Sequence, residues 1–123
     1  MSDPTVLVVD DDPVIVKLLQ VNFEMEGYTV ITAGDGEEGL TRARADHPDI
    51  VLSDVMMPKM NGLQMAEQLK ADAGTRGIPI ILLSAKAQAA DVDAGREFAD
   101  DYVTKPFDPL ELLDRVARLL AGQ

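Results

Sequence analysis

Apolar positions along the chain recur in two rhythms. Thr5–Val9 is a short β-branched and apolar run, and Pro13–Gly27 then places Val14, Leu18, Val21 and Met25 at spacings of four, three and four. The first rhythm predicts a strand and the second an amphipathic helix. The pattern returns as Tyr28–Ala33 before a helix near Gly36–Ala45, and as Asp49–Ser53 before a helix near Leu63–Ala71. Ile78–Leu83 is a fourth strand, with Pro79 near its start because proline lacks a backbone donor. Another turn and helix follow. Asp101–Thr104 supplies the last strand, and Leu110, Leu113, Val116 and Leu120 mark a final helix over Leu110–Leu120. Five βα units account for the chain.

Val6–Val9 and Ile80–Leu83 are apolar without alternation, as expected of strands buried on both faces of a mainly parallel sheet covered by helices. The expected fold is therefore one α/β domain, a doubly wound five-stranded parallel sheet with helices on both faces, spanning 1–123 with a core of about 5–121. At 123 residues and 46% hydrophobic composition, the chain is sufficient for one buried core. A formal net charge of -11 disfavours nucleic acid and anionic membranes as direct partners. Cysteine is absent, which excludes disulfides, thiolate nucleophiles and thiolate zinc sites. The start MSDPT lacks a basic, apolar signal pattern, and no apolar run is long enough to span a bilayer, so a cytoplasmic location is expected.

Asp10, Asp11 and Asp12 follow the first strand and precede Pro13, which is suited to a helix start. Asp54 follows the third strand. In a parallel sheet both groups lie at the carboxyl edge, where α/β folds bind ligands. Locally, the same residues also read as a solvated helix cap and an ordinary loop aspartate. Close carboxylates repel, whereas a hard divalent ion such as Mg2+ stabilises their ionised forms. Such an ion would align Asp54 with a phosphoryl donor, giving an aspartyl phosphate.

VVDDDP at 8–13, DVMMPKMNG at 54–62, LSAK at 83–86 and DDYVTKPF at 100–107 together closely resemble the response-regulator receiver family of two-component signalling, over Val6–Leu120. The resemblance implies a flavodoxin-like strand order 2-1-3-4-5. It makes Asp54 the phosphoacceptor, with Asp11 a direct Mg2+ ligand, Asp10 acting through a coordinated water, and the Met56 backbone carbonyl as a further ligand. Ser84 and Lys105 would engage the phosphoryl group, Tyr102 would change exposure with Ser84, and a cis Lys105–Pro106 peptide would direct the lysine inward. Asp12 reads better as a helix cap than as a ligand. The implied partners are a sensor histidine kinase or histidine phosphotransfer protein and a downstream protein target, with room for a phosphorylation-dependent homodimer. The chain would be a stand-alone or truncated receiver that turns over no external substrate, only its own phosphoryl group.

Other residues have plainer readings. Lys17, Lys59, Lys70 and Arg115 read as solvated charges, His47 as a turn residue, and Met56, Met57, Met60 and Met65 as packing side chains. Pro58 and Gly62 bound the loop after Asp54. Gly34, Gly36 and Gly39 form no nucleotide-binding signature, so no further cofactor is expected. GREFADD at 95–101 is short of a glycine that the family often has, and Phe98 has two readings there, as a cover for the core or as a bulk that alters the orientation of Tyr102 and Lys105; nearby Lys86 reads as a surface residue. Two other functions remain open at this stage: a phosphorylation-independent docking module on the same scaffold, and a haloacid-dehalogenase-like hydrolase.

Overall fold

In the computed structural model, residues 3–57, 59–85 and 98–122 are described. The elements run β1 (Thr5–Val9), α1 (Pro13–Met25), β2 (Thr29–Ala33), α2 (Gly36–Asp46), β3 (Ile50–Asp54), α3 (Gly62–Ala71), β4 (Ile80–Ala85), β5 (Asp101–Lys105) and α4 (Pro109–Leu120). The helix expected between β4 and β5 falls outside the described residues, as do Pro58 and Lys86. The strands form one five-stranded sheet in the order β2-β1-β3-β4-β5, every pair parallel.

Strand alternation sends successive side chains to opposite faces and so builds two cores. Leu7, Val9, Val51, Ile80 and Leu82 meet Leu40 and Ala43 of α2 and Met65, Ala66 and Leu69 of α3. Val6, Val8, Ile50, Leu52, Ile81, Leu83 and Val103 meet Leu19 and Phe23 of α1 and Leu112 and Val116 of α4. Both faces are covered, which explains the unbroken apolar strands. Phe98 packs against the first core with Ala99 and Tyr102, as expected of a residue covering it.

On α1 the spacing identifies the helix but not its buried face. Val14, Leu18, Val21 and Met25 are 72%, 40%, 41% and 78% exposed, while Leu19 and Phe23 are fully buried. Two apolar stripes share this helix, and a 3.6-residue period fits either. The stripe with the larger side chain faces the sheet, where the Phe23 ring also packs edge-on to Tyr28 at 5.2 Å. On α4, Val116 of the expected stripe is buried and Leu113 and Leu120 pack against the same core, whereas Leu110 is 68% exposed and Leu112, outside that stripe, is fully buried.

The local caps follow the sequence chemistry. Asp12 accepts the Val14 N–H at 2.9 Å with Pro13 at the first helical position, confirming its capping role. Asn61 and Gln64 form a capping box that starts α3. His47 ends α2 in a left-handed conformation, φ 46°. The Pro79 carbonyl accepts the Val51 N–H just before β4, which places proline at the strand entry where no donor is needed.

Candidate functional site

β1 and β3 are neighbours in register, with Val9 opposite Ser53. One residue further on, Asp10 and Asp54 therefore emerge side by side at the carboxyl edge. β4 and β5 extend that edge: Asp54 pairs with Leu83, Ser84 with Thr104, and Ala85 with Lys105. Topology alone thus gathers Asp10, Asp11, Asp54, Ser84 and Lys105.

Asp10 is 2% exposed and Asp54 8%, while Asp11 is exposed. One carboxylate oxygen from each of the three lies within 4.8 Å of the others. Lys105 Nζ stands 3.4 Å from Asp10 Oδ2 and 3.3 Å from Asp54 Oδ2, so one ammonium bridges both buried acids. Asp10 Oδ1 also accepts the Asp12 N–H at 2.9 Å, which orients the carboxylate before the helix begins. The Lys105–Pro106 peptide is cis.

Burial pushes the Asp10 carboxyl above its ordinary range, and repulsion from Asp54 adds to this; the Asp12 N–H and Lys105 pull the other way without winning. Burial likewise raises Asp54, with Asp11 adding to it and Lys105 opposing. For Lys105 burial acts downward, but Asp10 and Asp54 outweigh it and hold the ammonium more firmly protonated. One cation is therefore too little positive charge for three converging carboxylates. Oxygen donors with unmet negative charge fit a hard divalent ion, and this cluster can hold one.

Ser84 is fully buried at the end of β4. Tyr102 is half-buried, and among the described residues its hydroxyl is enclosed without a hydrogen-bond partner. The Met56 side chain is 58% exposed, contrary to a packing role, whereas Met65 is buried and Met57 and Met60 pack against the core.

Several positions carry more than the sequence reading assigned them. Lys17 lines an open cleft of about 330 Å3 together with Asp10, Asp11, Gln20 and Thr32, so it stands beside the acidic edge. Arg115 grips both Asp101 oxygens at 2.9 and 2.8 Å, and Asp101 also accepts the Tyr102 N–H. Lys70 reaches Asp100 and the Ile78 carbonyl, each at 3.1 Å, and Lys59 lies 3.7 Å from Asp35. These pairings join residues far apart in the chain, which no local pattern displays. Ser53 was also overlooked: fully buried, it donates to the Asp54 carbonyl oxygen at 2.9 Å. Its signal was one hydroxyl directly after the apolar run Ile50–Leu52.

Comparison with known proteins agrees with this geometry. Residues 6–117 match the response regulator receiver domain family. The chain is 47% identical over 116 residues to the alkaline phosphatase synthesis transcriptional regulatory protein PhoP of Bacillus subtilis, covering 94% of this chain and 48% of that protein. It is also 47% identical to the DNA-binding response regulator MtrA of Mycolicibacterium smegmatis, covering 93% and 50%. The chain thus spans about half the length of these curated relatives. A putative response regulator from Chloroflexus aurantiacus superposes with a TM-score of 0.92 at 35% identity, covering 98% of this chain and 99% of that one. The receiver domain of a sensor histidine kinase from Pseudomonas aeruginosa, solved with magnesium coordinated in its active-site cleft, superposes with a TM-score of 0.89 at 27% identity, covering 98% and 99%. By sequence and fold alike, the chain belongs to the response-regulator receiver domain family.

Proposed function

We propose that Asp54 is the phosphoacceptor of a magnesium-dependent signalling receiver. The observation that carries this reading is the convergence of three carboxylates, two of them bridged by a single ammonium. Asp11 and Asp54 would hold Mg2+ directly, Asp10 through a water, and the Met56 carbonyl would complete the protein ligands. When bound, the ion supplies charge neutralisation for the carboxylates and for the phosphoryl oxygens.

An Asp54 carboxylate oxygen attacks phosphorus of a phosphohistidine on a sensor kinase or phosphotransfer protein. The P–O bond forms as the P–N bond breaks, and the departing imidazole takes up a proton. Lys105, already drawn to both acids, turns to the phosphoryl oxygens, and Ser84 donates its hydroxyl to another. Water later attacks the same phosphorus, releasing inorganic phosphate and restoring the carboxylate.

Signal output follows from what the phosphoryl group draws inward. Movement of Ser84 vacates space beside Tyr102, whose enclosed hydroxyl has no described partner to hold it in place. The population then shifts toward a state with a different β5–α4 surface, read by a downstream protein or a second copy of the chain. Among the described residues no helix is long and apolar enough to cross a membrane. The test is phosphate incorporation from acetyl phosphate with Mg2+ or with EDTA. A hydroxylamine-labile adduct formed only with Mg2+ supports the reading. Partner binding indifferent to phosphodonor and to Asp54→Asn would instead favour the docking module.

A further inference from the structure

We infer that Gly36, on α2 and outside the acidic cluster, is a positioning residue for the loop that carries the Met56 carbonyl, acting through the carbonyl of Met60. The inference rests on the metal site proposed above and extends it to a second element.

The loop after β3 is held at two points by glycines. At its far end, the Gly62 N–H donates to the Val55 carbonyl at 2.9 Å, and a Cβ on Gly62 would collide with the Asp54 carbonyl oxygen. Nearer its middle, the Gly36 N–H donates to the Met60 carbonyl at 3.1 Å. A Cβ on Gly36 would collide with that same oxygen and stand 2.8 Å from the carbonyl carbon. Both obstacles are backbone, so no side-chain rotation relieves them. Asp35, which caps α2 through the Glu38 N–H, adds an ion pair to Lys59, and Lys59 itself turns through a left-handed conformation, φ 66°.

The helix has little freedom to retreat. Leu40 and Ala43 are buried against the sheet, and a Cβ on Gly39 would already stand 2.9 Å from Val9 Cγ2 and 2.8 Å from Met65 Sδ. The loop, exposed at Met56, yields more readily than a close-packed helix. Alanine also favours a helix more than glycine does. A side chain at position 36 therefore displaces the loop and with it the Met56 carbonyl.

Coupling between the two must be reciprocal, so an ion that orders the loop must be felt at the Gly36 amide. The experiment uses the full chain, 15N-labelled, titrated with Mg2+, alongside calorimetric Mg2+ binding to wild type, Gly36→Ala and Gly77→Ala. Gly77 is the control, because a Cβ there meets nothing within 4 Å. Expected are a Mg2+-dependent shift and slower exchange of the Gly36 amide, and Mg2+ binding weakened roughly tenfold or more in Gly36→Ala. Phosphorylation of Gly36→Ala should need more Mg2+ for half its maximal rate and recover at saturation, while Gly77→Ala matches wild type. A wild type that binds Mg2+ with an indifferent Gly36 amide overturns the inference, as does a folded Gly36→Ala that binds Mg2+ as tightly as wild type. If Gly36→Ala does not fold, the wild-type amide decides. A wild type that binds no Mg2+ overturns the metal reading itself, and the inference with it.

Discussion

Lys105 Nζ lies 3.3 Å from Asp54 Oδ2, linking the last strand of the sheet to its centre. The same nitrogen reaches Asp10, so the cation offsets two buried acids at once. Lys105→Met keeps the aliphatic stem and removes the charge. In Mg2+-free buffer at neutral pH, urea unfolding should show a loss of roughly 1–3 kcal/mol, below the range for fully buried pairs because the lysine is 25% exposed. Unchanged stability would mean that the bridge contributes nothing to holding the pocket.

The raised pKa values of Asp10 and Asp54 set the direction of a pH dependence. Each binds its proton more tightly folded than unfolded, so the stability it contributes is full below about 3.8 and is lost as pH rises through its raised value. Asp54→Asn, which mimics the neutral acid, should therefore exceed wild type in Mg2+-free stability at pH 7. The difference should vanish near pH 3. A wild type that is the more stable of the two at pH 7 would reverse the sign assigned here to burial.

Mg2+ should restore what the crowded carboxylates cost. At a hundred times its dissociation constant, the ion should stabilise the wild type by about 2.7 kcal/mol. Asp11 is exposed, so Asp11→Asn should alter Mg2+-free stability by no more than about 0.5 kcal/mol while abolishing most of the Mg2+ effect. A full Mg2+ response in that variant would remove Asp11 from the ligand set.

The two stripes of α1 separate in the same assay. Phe23→Ala opens a cavity in the second core and should cost about 3–5 kcal/mol. Met25→Ala, at a 78% exposed position, should stay within about 0.5 kcal/mol. Comparable losses would place Met25 in a contact the fold does not show.

Element type and order were legible because continuous apolar strands and helical spacing are local signals. Strand ends moved by a residue or two: Asp54, expected just after the third strand, is its last residue. Which stripe of α1 faces inward was not legible, since Val14–Met25 and Leu19–Phe23 satisfy the same period and only tertiary packing chooses between them. At the candidate site, acidic residues at strand ends and the family motifs pointed to Asp10, Asp11, Asp54 and Lys105, and the parallel register brought them together. The Arg115–Asp101 and Lys70–Asp100 pairs left no such trace, because long side chains find partners by topology. Ser53 could have been found, as a buried hydroxyl needs a partner and here takes the Asp54 carbonyl.

The most direct test is to map the phosphoryl group by mass spectrometry after reaction with a small phosphodonor and Mg2+. The account predicts a labile adduct on Asp54, absent in Asp54→Asn and strongly diminished when EDTA replaces the ion. A folded, Mg2+-loaded chain that stays unmodified, or carries its phosphate at another residue, would contradict it.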